Sequence, residues 1–194
     1  MSAHAGALLA ALVTVSVAAL PARGAAEATA AGPTACVALL EVRFVESAPR
    51  DRFEFLVPPA GPATVESIRL DLAGSVGELV FDTEPGGDGV EVYQPFRVER
   101  GEALLLGSAP LADGGRRVEL DFTGFGAGER FTFSIDVDDR LAASELGQIR
   151  VSGSEIEGAS LLAGLRDADG ARTSVEGRFD ASAAARLYPD DCAG

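Results

Sequence analysis

Hydrophobic and polar residues alternate along most of this chain, and turn-forming residues interrupt the alternation at short intervals. Period two, with aromatic or β-branched residues on one side, marks a strand that buries one face. Residues 40–45 (LEVRFV) and 52–57 (RFEFLV) show it on either side of the polar turn ESAPRD, and PPAGP at 58–62 ends the pair. In 65–72, Ile68, Leu70 and Leu72 share one face while Arg69 and Asp71 share the other. A short apolar strand at 79–81 runs into the EPGGDG loop at 84–89. Residues 90–93 and 96–98 straddle Pro95, which suits an edge strand or a bulge. Val118, Leu120 and Phe122 alternate after a DGG turn at 113–115. Phe131, Phe133, Ile135 and Val137 then alternate with Thr132, Ser134, Asp136 and Asp138. Residues 159–166 and 172–179 are joined through DADG at 167–170, a hairpin signal.

About eight to ten short strands at this spacing, without a strong helical period, predict an all-β fold. The expected architecture is a single antiparallel β-sandwich over residues 37–180, immunoglobulin-like or jelly-roll-like. LAASEL at 141–146 is the one helical turn expected between strands, and residues 181–194 read as a C-terminal tail.

The N-terminus departs from the alternation. Residues 6–20 (GALLAALVTVSVAAL) form an uncharged apolar run of signal-peptide length, followed by small-residue cleavage sites of which Ala28-Thr29-Ala30 is the best match. Residues 1–30 are therefore expected to be a signal peptide, although no Lys or Arg precedes the run, and 31–36 a linker. This predicts a secreted or periplasmic protein with no transmembrane segment in the mature chain. In an oxidising compartment the two cysteines, Cys36 and Cys192, are expected to pair across nearly the whole domain.

Charge and missing residue types narrow the functions. The formal net charge is −14, and it survives removal of residues 1–30, where Arg23 and Glu27 cancel. Such a surface repels nucleic acid and anionic lipid and attracts divalent cations or basic partners. Arg116 and Arg117 make too small a basic patch to change that. The chain has no Lys, Trp or Asn, and its one His is His4, within the expected signal peptide. A mature chain without His or Lys has no His base, no Schiff-base lysine and no P-loop lysine, and without Asn it has no N-glycan.

At VFDTEPGGDGVEVYQPF, FTFSIDVDDRL and VSGSEIEGA the chain resembles secreted bacterial proteins labelled "aggregation factor core", after a sponge adhesion proteoglycan protein. The resemblance covers about residues 42–179. It implies an extracellular, non-enzymatic module of calcium-dependent adhesion, with an extracellular protein or polysaccharide as partner, and carries no catalytic residues with it.

Three acidic groups stand out. Asp136 and Asp138 share the outward face of their strand, roughly 7 Å apart at two residues' rise. Asp139, just past the alternation, is placed to turn back toward them. A second group, Asp82, Glu84, Asp88 and Glu91, surrounds the glycine-rich loop, where carbonyls are plentiful. The third is Glu155 and Glu157 in SGSEIEG. The plain reading of such groups is a solvated face. The functional reading makes Asp136, Asp138 and Asp139, completed by Asp82 and Asp88, ligands of a calcium ion. No EF-hand spacing is present. A carboxylate-based carbohydrate enzyme would need a fixed acid pair and aromatic platforms, of which Tyr93 and Tyr188 are the only non-Phe candidates. Ser152 and Ser154 lack a nucleophile elbow and a histidine base. A binding or adhesion module is thus the expected function, with a structural envelope protein as the alternative and enzymatic activity not expected.

Overall fold

The computed structural model describes residues 36–192 except Pro62 and Glu91; the expected signal peptide at 1–30 and residues 31–35 lie outside the described residues. The strands are Leu40–Val45 (β1), Asp51–Leu56 (β2), Thr64–Asp71 (β3), Val80–Asp82 (β4), Arg97–Arg100 (β5) and Leu105–Ser108 (β6). They continue with Arg117–Phe125 (β7), Arg130–Asp138 (β8), Ser160–Arg166 (β9), Arg172–Arg178 (β10) and Ala184–Leu187 (β11). One short helix, Gly153–Ile156 (α1), precedes β9.

Two antiparallel sheets pack face to face as a β-sandwich. One has the order β11-β1-β2-β8-β4, with β5 also on β8; the other has the order β10-β9-β3-β7-β6. The inward residues of β8 are Phe131, Phe133, Ile135 and Val137, all 0% exposed. Phe131 meets Phe122 of the opposite sheet edge-to-face, with ring centroids 4.9 Å apart. Aromatic pairs of this geometry add to their area burial. Strand β8 is central: β2 lines one edge, and the other edge is shared by β5 at residues 132–134 and β4 at 136–138. The chain between these short strands, residues 83–96, must leave β8 and return to it, and that excursion builds the site described below.

Several local expectations need correction. The expected tail at 181–194 contains a strand instead, because β11 pairs with β1 from Leu40↔Leu187 to Arg43↔Ala184 and buries Ala185 and Leu187. Its apolar members are mostly alanines, which carry little strand signal. Residues 141–146 form turns and bends, not a helical turn. The helical turn is instead α1, capped at its start by Ser152, which forms a capping box with Glu155. Strand β6 (LLGS) was not foreseen; it is short, contains Gly107 and is half exposed. In 90–93, no described residue is in a strand.

Cys36 and Cys192 form the expected disulfide, with Cα atoms 5.7 Å apart. No described helix is long and apolar enough to cross a membrane.

Candidate metal centre

The acidic end of β8 is not a solvated face. Asp136 and Asp138 point away from the core layer, yet they are 0% and 1% exposed, and Asp139 is 2% exposed. Strand β4 places Asp82 directly opposite Asp136 in the ladder, with Asp138 two positions along beside Val80. Asp82, 1% exposed, thus joins the same face. One carboxylate oxygen from each of Asp82, Asp136 and Asp138 lies within 4.8 Å of the others, a grouping that could hold a metal ion.

The cover comes from segments far away in sequence. Residues 83–96 fold back so that Gln94 N–H donates to the Asp82 carbonyl (3.3 Å) and Asp136 N–H donates to the Gln94 carbonyl (3.1 Å). Val90 N–H donates to Asp138 Oδ2 at 2.7 Å. On the other side, Asp139 N–H donates to the Gln148 carbonyl (3.1 Å) and Arg140 N–H to the Gly77 carbonyl (3.2 Å). Gly89 packs on the Asp82 carboxylate so closely that a Cβ there would collide with it. A residue without a side chain is what lets the loop close.

This enclosure leaves carboxylate oxygens without partners. Asp82 Oδ1, both oxygens of Asp136, Asp138 Oδ1 and Asp139 Oδ2 are buried and accept no hydrogen bond among the described residues. Burial, followed by repulsion from Asp138, Asp51 and Asp82, pushes the Asp136 carboxyl up to about 8. Burial also pushes Asp138 up to about 6, against the Val90 N–H, with Asp82 and Asp139 adding to the rise. Asp82 is raised by burial and by Asp113.

The fold satisfies a buried carboxylate elsewhere, which makes the contrast informative. Glu155 is 2% exposed, and its carboxylate accepts from Ser152 N–H (2.7 Å), Glu145 N–H (2.9 Å) and the Ser144 hydroxyl (3.1 Å). Burial raises its pKa, but these donors outweigh it and hold the group below the usual range. Glu155 is therefore a structural cap, and Glu157 is exposed at the helix end.

Of the five predicted ligands, the structure brings Asp82, Asp136 and Asp138 together. Asp139 is buried next in the chain but falls outside that grouping, and its Oδ1 accepts from Leu141 N–H at 3.0 Å. Asp88 does not join. Its side chain is 64% exposed and pairs with Arg140 at 3.4 Å. The loop turns outward at Asp88 because Asp113 organises it: Asp113 Oδ1 accepts from Thr83 N–H (2.7 Å) and Glu84 N–H (3.1 Å), and Oδ2 from Asp88 N–H (2.6 Å). Glu84 is exposed, and Glu91 lies outside the described residues.

Sequence reading missed Asp51, which is 0% exposed. It accepts from Ser47 N–H (2.7 Å) and Val137 N–H (3.1 Å), and burial pushes it up to about 7 despite these bonds. A signal was present: Asp51, Phe53 and Phe55 occupy successive inward positions of β2, so an acid stands where the alternation calls for an apolar residue.

The donor set is all oxygen. Both cysteines are in the disulfide, and His4 lies outside the described residues. Carboxylates suit hard cations such as calcium, magnesium and manganese.

The raised carboxyls give a pH signature for the chelated protein. A carboxyl with a folded pKa above its unfolded value keeps its proton in the fold after the unfolded chain has lost it, so stability falls as pH rises. The window runs from the ordinary aspartate value of 3.8 to the raised values of about 6, 7 and 8. Melting in EGTA should therefore occur at lower temperature at pH 8 than at pH 5. A melting temperature that rises across this interval would contradict the burial of uncompensated carboxylates.

Comparison of the chain with family models, with curated proteins and with solved structures finds no match in any of them.

Proposed function

We propose that this chain is a secreted, acidic β-sandwich that acts as a calcium-dependent binding or adhesion module. The observation that carries the reading is the set of five buried carboxylate oxygens at Asp82, Asp136, Asp138 and Asp139 that have no partner among the described residues. Clustered anions removed from water are costly unless a proton or a cation compensates them. Calcium takes six to eight oxygen ligands in a flexible geometry, whereas magnesium demands an octahedron and keeps its waters. A nearly closed site rich in carboxylates favours the first ion. The disulfide, the net charge of −14 and the resemblance to aggregation factor core proteins support an extracellular role.

Calcium at this position would tie β4, β8 and the returning segment 83–96 together. The surface presented by that segment would then depend on the ion, which is what a calcium-dependent binding module requires. The same enclosure argues against glycoside hydrolysis, since a sugar would have no route to carboxyls that are 0–1% exposed.

Calorimetric titration of calcium into EGTA-treated, desalted protein tests the reading. Wild type should give a saturable isotherm, magnesium a weaker one, and Asp136→Asn/Asp138→Asn none. No saturable heat in the wild type, or an unchanged isotherm in the double variant, would overturn it.

A further inference from the structure

The sheet that carries the acidic cluster carries a basic groove at its other end. The outward residues of β1, β2, β8, β5 and β11 form two neighbouring rows across the strands. One row runs Arg43, Glu54, Thr132, Arg100, by the pairings Arg43↔Glu54, Glu54↔Thr132 and Arg100↔Thr132. The other runs Arg186, Glu41, Leu56, Arg130. Together they line a groove of ≈ 350 Å³. With strands about 4.8 Å apart, Arg43 and Arg100 stand roughly 14 Å from each other across it.

The arginines here are available to a ligand. Arg43, Arg100 and Arg130 are exposed and make no ion pair among the described residues. The two acids of the groove are held loosely, Glu54 by Arg52 at 3.8 Å and Glu41 by Arg186 at 3.9 Å. In a protein of net charge −14, an unpaired arginine cluster is a local exception to the overall field. Screening over about 8 Å at physiological salt lets such a patch act on a bound ligand independently of distant charge.

We propose that this groove binds a carboxylated polysaccharide, with Arg43, Arg100 and Arg130 pairing with uronate carboxylates and Glu54 and Thr132 accepting sugar hydroxyls. Arginine presents a planar fork that matches a carboxylate in two hydrogen bonds. The interleaving of acids with arginines selects the class of ligand. A uronate sugar carries a carboxylate and several hydroxyl donors on each ring, so it meets both kinds of side chain. A polyphosphate or a run of acidic residues offers mainly acceptors, which Glu41 and Glu54 would repel. The groove shares no residue with the Asp82, Asp136 and Asp138 cluster, so this inference stands apart from the calcium reading.

Affinity electrophoresis in EGTA through gels containing polygalacturonate, dextran or poly-glutamate tests it, with EGTA removing any cation bridge between polymer and protein. Wild type should be retarded by polygalacturonate and not by dextran. Arg43→Gln/Arg130→Gln should weaken retardation tenfold or more, and Arg100→Gln alone, on a different strand, severalfold. Arg69→Gln/Arg172→Gln removes the same charge from the opposite sheet and should change nothing. The single Arg100→Gln variant decides the matter should the groove double variant fail to fold. Absence of wild-type retardation in EGTA, equal loss in both double variants, or no loss in Arg100→Gln would overturn the proposal. Retardation by poly-glutamate as strong as by polygalacturonate would overturn it too, in favour of an acidic protein partner.

Discussion

Removing the Cys36–Cys192 bridge, by reduction or by Cys36→Ser/Cys192→Ser, is expected to destabilise the domain by about 5 kcal/mol, less any compensation in the unfolded state. The two cysteines are 156 residues apart, so the closed loop includes nearly the whole sandwich. In the chain-entropy model the stabilisation grows with the logarithm of loop length, which places this bridge near the top of the usual range. The bridge also holds an edge. Strand β11 has only a four-residue pairing with β1, flanked by the Leu39 N–H bond to the Leu187 carbonyl at 2.8 Å. An edge strand of that length frays readily once its covalent anchor is gone. Urea unfolding with and without reductant measures the effect. The midpoint should fall, and the slope should rise because the reduced chain exposes more surface when unfolded. A midpoint unchanged by reductant would show that the bridge does not constrain the folding equilibrium.

Phe133→Ala should cost about 3–5 kcal/mol, the usual range for truncating a buried aromatic side chain. Phe133 is 0% exposed, and its ring lies 5.1 Å from Phe53, 5.9 Å from Phe55 and 4.9 Å from Phe96, centroid to centroid. These neighbours come from β2 and from the segment just before β5, elements held in place by β8 itself. Collapse into the vacated space would require several rings to leave their packed positions together, so the cavity should stay largely open. Chemical denaturation of the variant measures this directly. A loss below about 1 kcal/mol would mean that the side chain is not in the core.

These two effects rest on features legible in the sequence, and their legibility has a physical basis. Alternation along β8 identifies its inward residues because side chains on a strand have period two whatever the strand packs against. The DADG turn sets the hairpin of β9 and β10, and their pairing runs from Arg172↔Arg166 to Arg178↔Ser160. What stayed hidden was long-range. Nothing near Asp136 announces that residues 83–96 and 148 will cover it, so its burial could not be read locally. The outward turn of Asp88 was hidden for the same reason, since Asp113 grips its loop from some thirty residues further along the chain. Strand β11 was missed because alanines and an arginine carry little of the β signal that its pairing with β1 supplies.

The central claim is that the acidic end of β8 is completed by calcium, and differential melting tests it most directly. Wild type and Asp136→Asn/Asp138→Asn are each melted in EGTA, in calcium and in magnesium at matched ionic strength. A ligand bound only to the folded state stabilises by RT ln(1 + [L]/Kd), about 2.7 kcal/mol at a hundredfold excess over Kd. The account predicts a large upward shift for wild type in calcium, a smaller one in magnesium, and almost none for the variant in either ion. In EGTA the variant should melt above wild type, because neutral amides replace carboxyls that repel one another. Equal shifts of both proteins in both ions would contradict the account, leaving ionic screening as the whole effect of the cation.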